Sequence, residues 1–530
     1  MRTRGHVLSF GVALSALSAV GPLDVGDALA GDFMDTTITF VAGDDNVLAG
    51  AGETNPSSPG PDLRPRSGNA LFFENYNSRN TGEETRGQLV LYKEFQPYFA
   101  RVVPEAAMVL QWDANRMARD GEQVLVTGSQ RPTGGLKDDG SYLAIHFDGT
   151  TPSPDVKPHR LSLILFPFDS DRVRLGYSWE LTWGGRSSFL LAPYTPGLMV
   201  SYKAPAFYAF GAAKTARTQW FTQSETDPHR DESETIYGVL GGGGLHVTDQ
   251  VLVDLSFGYF QKGTIPTDRG ELEGTWVDQY GASTQLTWHD GIEPKVPVDT
   301  KLLRNLGGDL KVRDWKPRKL GYLVSTEFTA TSQRLENTDA AGTSARETGM
   351  AGDINAAMQS GRMTFNLDVI VRSLEFLVQD TPGFSPYATV SEAITTSPEI
   401  FASVGADYAF PELRFVPGVA FGVQRPAVAR ISTTQRDGSS ASANIVVRKT
   451  KNVLGESQVL PTALPIGEAV SPVFAGKLYL REYLSDLIFV AVQAQVTFDD
   501  NLVTNDPDSG ARKFESPMIL GLNLIAQAKF

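Results

Sequence analysis

The chain has 530 residues, no cysteine, 41% hydrophobic residues and a formal net charge of −14. Without cysteine an exported chain has neither a disulfide scaffold nor cysteine-based metal or nucleophile chemistry, and an acidic chain lacking basic clusters is no partner for nucleic acid. Downstream of Leu23 nothing approaches the ~18 unbroken apolar residues that a spanning helix needs, which excludes a helical membrane protein.

The first element is Arg2 and Arg4, followed by the apolar stretch Val7 to Leu23 and then Ala28-Leu29-Ala30. A charged, then apolar, then small-residue order predicts a secretory signal over 1–30 with cleavage after Ala30. A retained anchor fits less well, because Gly21-Pro22, Asp24 and Asp27 interrupt the run. Residues 31–86 read as a strand at Thr36 to Ala42 and a Gly-, Pro-, Asp- and Ser-rich loop or flexible lid over 43–68. That region is too short for a folded plug.

From 87 to 530 the governing signal is period two, which in a strand sends successive side chains to opposite faces. Candidate strands fall at 87–95, 105–113, 141–148 and 159–168. The cleanest alternation comes next, with Val173, Leu175, Tyr177, Trp179, Leu181 and Trp183 set against Arg172, Arg174, Ser178, Glu180 and Thr182. It predicts a membrane strand over 171–183 whose arginines and Glu180 face water while Tyr177, Trp179 and Trp183 face lipid. Strands at 197–204 and 234–247 follow, the second containing the tetraglycine Gly241 to Gly244, where a bend or a close approach is expected.

Val251 to Tyr259 then alternates against Asp254 and Ser256, and Tyr280 to Trp288 against Ser283 and Gln285. Tyr322 to Phe328 faces away from Ser325 and Glu327, and Met363 to Val371 from Asn366, Asp368 and Arg372. Weaker candidates lie at 347–358, 397–410, 412–424, 441–449 and 471–483. Ile488 to Phe498 alternates against Gln493, Gln495 and Thr497, and the last stripe is Met518, Leu520, Leu522, Leu524, Ala526, Ala528 and Phe530. This count, about 18 by the period-two test, predicts an all-β fold, a closed antiparallel transmembrane β-barrel of roughly 16–18 strands. Short turns are expected at 168–171, 247–250, 359–361 and 483–486, and long loops at 263–278, 331–346, 374–396 and 499–517.

The terminal stripe resembles the closing strand of Gram-negative outer-membrane β-barrels of the general porin type, which similarly ends on an aromatic residue behind alternating hydrophobes. The resemblance implies insertion in the outer membrane, and a role for Phe530 as an assembly signal read by the barrel-assembly machinery.

A barrel of this size leaves an aqueous lumen, and ionisable residues at membrane depth belong there. The pore-lining candidates are Arg172, Arg174, Glu180, Asp254, Glu327, Asp368, Arg372, Lys477 and Arg481, with Lys203 beside them. Their mixed signs permit a transverse field across a constriction. Solvated wall residues or cross-strand pairs explain any single one of them better, and it is as a set that they argue for a polar interior. Lipid-interface aromatics are expected at Tyr177, Trp179, Trp183, Tyr259, Trp288 and Phe498.

His146 with Asp148 and His289 with Asp290 have no distinctive spacing, so no catalytic residue is assigned and no enzyme activity is expected. Asp44-Asp45, Asp499-Asp500 and Asp506-Pro507-Asp508 are what turns need, and no metal or cofactor is assigned. The expected function is passive diffusion of small hydrophilic solutes or ions. A surface-exposed adhesion or structural barrel is the alternative, and an outer-membrane hydrolase the third reading. Membrane lipid, the assembly machinery and further copies of the chain are the partners in view. Deleting Phe530, or replacing it with a charged residue, should sharply lower the amount of heat-modifiable barrel recovered from outer membranes.

Overall fold

The computed structural model describes residues 34–44, 83–97, 101–113, 136–149, 159–185, 194–222, 230–264, 272, 274–304, 315, 318–379, 389, 391–392, 394–434, 440–451, 457–505 and 511–530. The signal expected over 1–30, residues 45–68 of the expected loop and Asp506 to Asp508 lie outside them.

Eighteen antiparallel strands close into one barrel. In chain order they begin with β1 (Asp35–Asp44), β2 (Glu83–Glu94), β3 (Val102–Asp113), β4 (Tyr142–Asp148), β5 (Arg160–Phe166) and β6 (Gly197–Lys203). Next come β7 (Phe207–Thr222), β8 (Arg230–Thr248), β9 (Val251–Thr264), β10 (Trp276–Asp290), β11 (Arg318–Glu336) and β12 (Ser344–Gly361). The last six are β13 (Met363–Arg372), β14 (Glu399–Tyr408), β15 (Phe415–Arg425), β16 (Val473–Tyr483), β17 (Ile488–Phe498) and β18 (Met518–Lys529).

Each strand pairs with its chain neighbours, and β1 pairs with both β2 and β18. The seam runs from Thr37 opposite Lys529 to Asp44 opposite Leu522. It is extended by two backbone hydrogen bonds between Thr36 and Phe530, at 3.0 and 2.8 Å. The strand expected at Thr36 to Ala42 is therefore no appendage to a barrel that starts at 87; it closes it.

Two expected barrel strands are not in the wall, and two wall strands were outside the expected eighteen. Residues 171–183 form an inner loop, described below. Ser440–Lys451 belongs instead to a separate four-stranded sheet with Thr395–Ser397, Ala427–Thr434 and Ser457–Ala463. In their place stand β1 and β7. The sequence FYAFGAA at the start of β7 is apolar or small at every position, so no alternation marks it, although Phe207 is exposed and Tyr208 buried.

The connections at 204–206, 249–250, 362 and 484–487 are short and lie at the end that carries both termini. Long ones at 167–196, 373–398, 426–472 and 499–517 lie at the other end. The short turn expected at 168–171 is thus part of a long connection. A further exception is 291–317, at the termini end, which contains the helix α1 (Thr300–Arg304) and buries Leu303 against the inner wall.

The wall is inverted relative to a soluble protein. On β9, Val253, Leu255, Phe257 and Tyr259 are exposed at 39, 54, 61 and 38%, whereas Asp254 and Ser256 are buried at 2 and 1%. The same division separates Val492 and Phe498 from Gln493, Gln495 and Thr497 on β17. Water would not stabilise such a belt of apolar side chains, whereas bilayer hydrocarbon does. Among the described residues no helix is long and apolar enough to cross a membrane; the strands do so. Leu255→Arg should lower stability of the refolded barrel by about 2 to 4 kcal/mol, measured by denaturant titration in lipid vesicles, and Lys477→Gln on the inner parity should leave it within about 0.5 kcal/mol of wild type.

Candidate functional site

The barrel interior is organised around the segment between β5 and β6. It enters by a bridge of Asp169 to Thr195, turns at 171–174, and forms a narrow hairpin in which Leu175 and Trp183 exchange backbone hydrogen bonds of 3.0 Å. Gly176 at φ +90° and the short helical turn Trp179–Leu181 make an extended strand over 171–183 impossible. The alternation that suggested one does not become two faces here: Leu181, Thr182 and Trp183 are buried in succession, and Ser178 is buried while Tyr177 is half-buried.

Val173, Leu175, Leu181 and Trp183 are all buried. The Trp183 ring meets Phe260 of β9 edge-on, with centroids 5.6 Å apart, and its Nε1–H donates to Ser283 Oγ on β10 at 3.1 Å. Gly258 on β9 makes room for this: a Cβ there would stand 2.6 Å from Leu175 Cδ1. Trp183 is consequently an inner residue, contrary to its assignment to lipid, because a ring this large finds its apolar contact under the loop. Tyr177 lies in the same inner loop, half-buried, and Trp179 sits in its helical turn.

Polar groups fix the loop's position. Glu327 of β11 accepts the backbone N–H of Tyr177 at 3.0 Å and that of Ser178, and also the Thr329 hydroxyl at 3.1 Å. Two loop amides that no strand could satisfy are thus bound by one carboxylate, a charge-assisted arrangement stronger than a neutral hydrogen bond. Arg372 of β13 bridges Glu180 at 2.9 Å and Glu399 of β14 at 2.5 Å, and Gln424 donates to Glu399 at 2.9 Å. Lys214 of β7 donates to the Gly184 carbonyl at 3.0 Å. Arg172 pairs with Asp139 and Arg174 with Asp171, each at 2.6 Å.

The remaining candidates lie on the wall. Asp254 accepts the Tyr208 hydroxyl at 2.6 Å, and both lie close over Gly244 of the tetraglycine, which has no side chain to obstruct them. Arg481 is bound to Asp407 at 2.9 Å and stacks over Tyr479. Asp368 faces inward and buried on β13, Lys477 inward and half-buried on β16. Lys203 lies exposed near the termini end, 3.8 Å from Asp299. Tyr259, Trp288 and Phe498 are on the outer face, exposed at 38, 51 and 49%. Phe530 is exposed at 65%.

Groups that sequence reading did not single out complete the interior. Beyond Glu399 and Asp407, the helix α2 (Leu374–Gln379) turns inward from a long loop, and Gln379 accepts the Thr331 hydroxyl at 2.7 Å while its backbone carbonyl accepts from Lys262 of β9. Period two could have flagged Glu399 and Asp407 on β14. Only the tertiary fold brings α2 to the wall.

These features define a class: a transmembrane β-barrel of the outer-membrane type, with a polar interior and an inward-folded loop. No family model and no curated sequence matches the chain. Solved structures similar to it include the outer membrane protein OpdK from Pseudomonas aeruginosa, at 9% identity and a TM-score of 0.41, covering 94% of this chain and 98% of that one. OccAB2 from Acinetobacter baumannii is similar at 7% identity and 0.40, with the same coverage. OprB from Pseudomonas putida is similar at 11% and 0.38, covering 94% of each chain.

Removing the Trp183 side chain should cost about 3 to 5 kcal/mol of local packing. Trp183→Ala is therefore expected to raise the released-loop population by about a hundred- to a few-thousandfold, read as faster tryptic cleavage after Arg174 in a barrel that keeps its heat-modifiable mobility.

Proposed function

We propose that the protein is a porin-like channel of the outer membrane, through which small hydrophilic solutes or ions diffuse passively. The observation that carries this reading is the inverted wall. A closed sheet of eighteen strands keeps ionisable and amide side chains on its inner face and apolar ones outside. A lumen of this strand number is wide enough for water, whereas eight strands are filled by their own side chains. The inner loop 169–185 folds into that lumen and narrows it in this reading, carrying Arg172, Arg174 and Glu180 with it, the last bound to Arg372 of the wall.

The ion pairs determine how these groups act. Arg172 and Arg174 neutralise Asp139 and Asp171, so replacing both with Gln uncovers two carboxylates and turns the local field negative. A second reading is a surface-exposed structural or adhesion barrel, favoured by the four-stranded sheet at the long-loop end. Its strands share a small apolar core with α2, including Leu377, Ala427 and Val447.

Planar-bilayer recording separates the two. The refolded protein should show discrete conductance steps, and Arg172→Gln with Arg174→Gln should raise the cation-to-anion permeability ratio roughly twofold or more. A folded, heat-modifiable barrel that does not conduct would put the structural reading first.

A further inference from the structure

One buried cluster on the inner wall has no part in holding the loop. It lies on β2 to β5, toward the end that carries the termini. Glu105, His146 and Ser162 are exposed by only 4, 1 and 6%. The antiparallel register brings them together: His146 stands opposite Ser162 on one side and Val103 on the other, two residues from Glu105. Period two then turns all three to the same face.

The hydrogen bonds form an ordered chain. His146 Nδ1 lies 2.7 Å from Ser162 Oγ, and Nε2 lies 3.2 Å from Glu105 Oε2. Glu105 is fixed in turn by the hydroxyls of Tyr142 and Tyr92, at 2.5 and 3.1 Å. A carboxylate already receiving two phenol donors orients the imidazole with Nε2–H toward itself, which leaves the Nδ1 lone pair for the Ser162 hydroxyl. Nucleophile, base and orienting carboxylate thus stand in the sequence that acyl transfer requires. Ser201 of β6, also buried, stands opposite Ser162, so a second hydroxyl shares that face beside the first. Arg160, two residues from Ser162 on the same face, holds Asp148 at 2.6 and 2.8 Å.

We propose that this cluster is a serine esterase site acting on small carboxylic esters, with Ser162 as nucleophile, His146 as general base and Glu105 as the positioning residue. It rests on the reading that solutes enter the lumen. Ser162 Oγ attacks the carbonyl carbon while its proton passes to His146 Nδ1. Collapse of the adduct breaks the ester C–O bond, and that proton leaves with the alcohol. Water, giving a proton to Nδ1, then attacks the acyl carbon; the acid departs and Ser162 recovers its proton.

The full-length protein, refolded in detergent, is treated with a fluorophosphonate and mapped by mass spectrometry, with p-nitrophenyl acetate hydrolysis followed in parallel. Expected are an adduct on Ser162 that falls about a thousandfold in rate in His146→Ala, and hydrolysis abolished in Ser162→Ala. Glu105→Gln should lower kcat about 100-fold or more with KM unchanged, and Glu105→Asp should restore part of it. Each variant is compared at wild-type heat-modifiable mobility, and Ser162→Ala, the smallest change, covers the case in which a Glu105 variant does not fold. No adduct on Ser162 in a folded, conducting barrel overturns the proposal, as does equal labelling of His146→Ala. Labelling of a barrel that does not conduct supports the esterase and removes the channel reading.

Discussion

The structure depends on one constraint: inside a bilayer every backbone N–H and C=O must find a partner within the protein, since hydrocarbon offers none. An open sheet of seventeen pairings would leave two bare edges in lipid. The seam between β1 and β18 removes them, and the Thr36 and Phe530 backbones extend that ladder to the last residue. Closure makes the first strand and the last equally indispensable, although nearly the whole chain separates them.

Closure also divides the side chains. With period two, each strand gives one row to lipid and one to the interior, so polar residues at membrane depth gather inside. An inner wall of that kind presents carboxylates, amides and hydroxyls to any segment that folds inward. The loop between β5 and β6 exploits this: its backbone amides bind Glu327, its carboxylate at Glu180 binds Arg372, and its Trp183 ring meets Phe260 and Ser283. Wall and loop are stabilised by the same groups. Arg172, Arg174, Arg372 and Arg481 do not act as bare charges, because Asp139, Asp171, Glu399 and Asp407 sit against them.

Much of the fold was legible residue by residue, and the failures are instructive. The stripe from Met518 to Ala528 and the rows on β9, β10, β13 and β17 repeat apolar residues at alternate positions, and each lies in the wall with that row outward, although apolar residues such as Phe260 and Ile525 also enter the inner row. The strand number agreed only because two errors offset two omissions. Alternation over 171–183 falls on an inward-folded loop, and that over 441–449 on a strand of the separate sheet. β7 was invisible because its small and apolar residues occupy both faces, whereas β1 was legible as a strand over Thr36 to Ala42 and only its place in the wall was not, since its pairing with β18 joins opposite ends of the chain.

What the sequence determined by itself was therefore the class: a period of two, repeated with no helical span, permits little other than a closed membrane sheet, because side-chain alternation is a local property of the strand. Tertiary structure decided the interior. Whether an alternating segment becomes wall or loop depends on partners far away in the chain, Glu327 for Tyr177 and Ser283 for Trp183. The Ser162, His146 and Glu105 chain has the same origin. His146 and Ser162 meet through the register of β4 on β5, and Glu105 through that of β3 on β4. Register is set by hydrogen bonds between strands, which no single stretch of sequence contains.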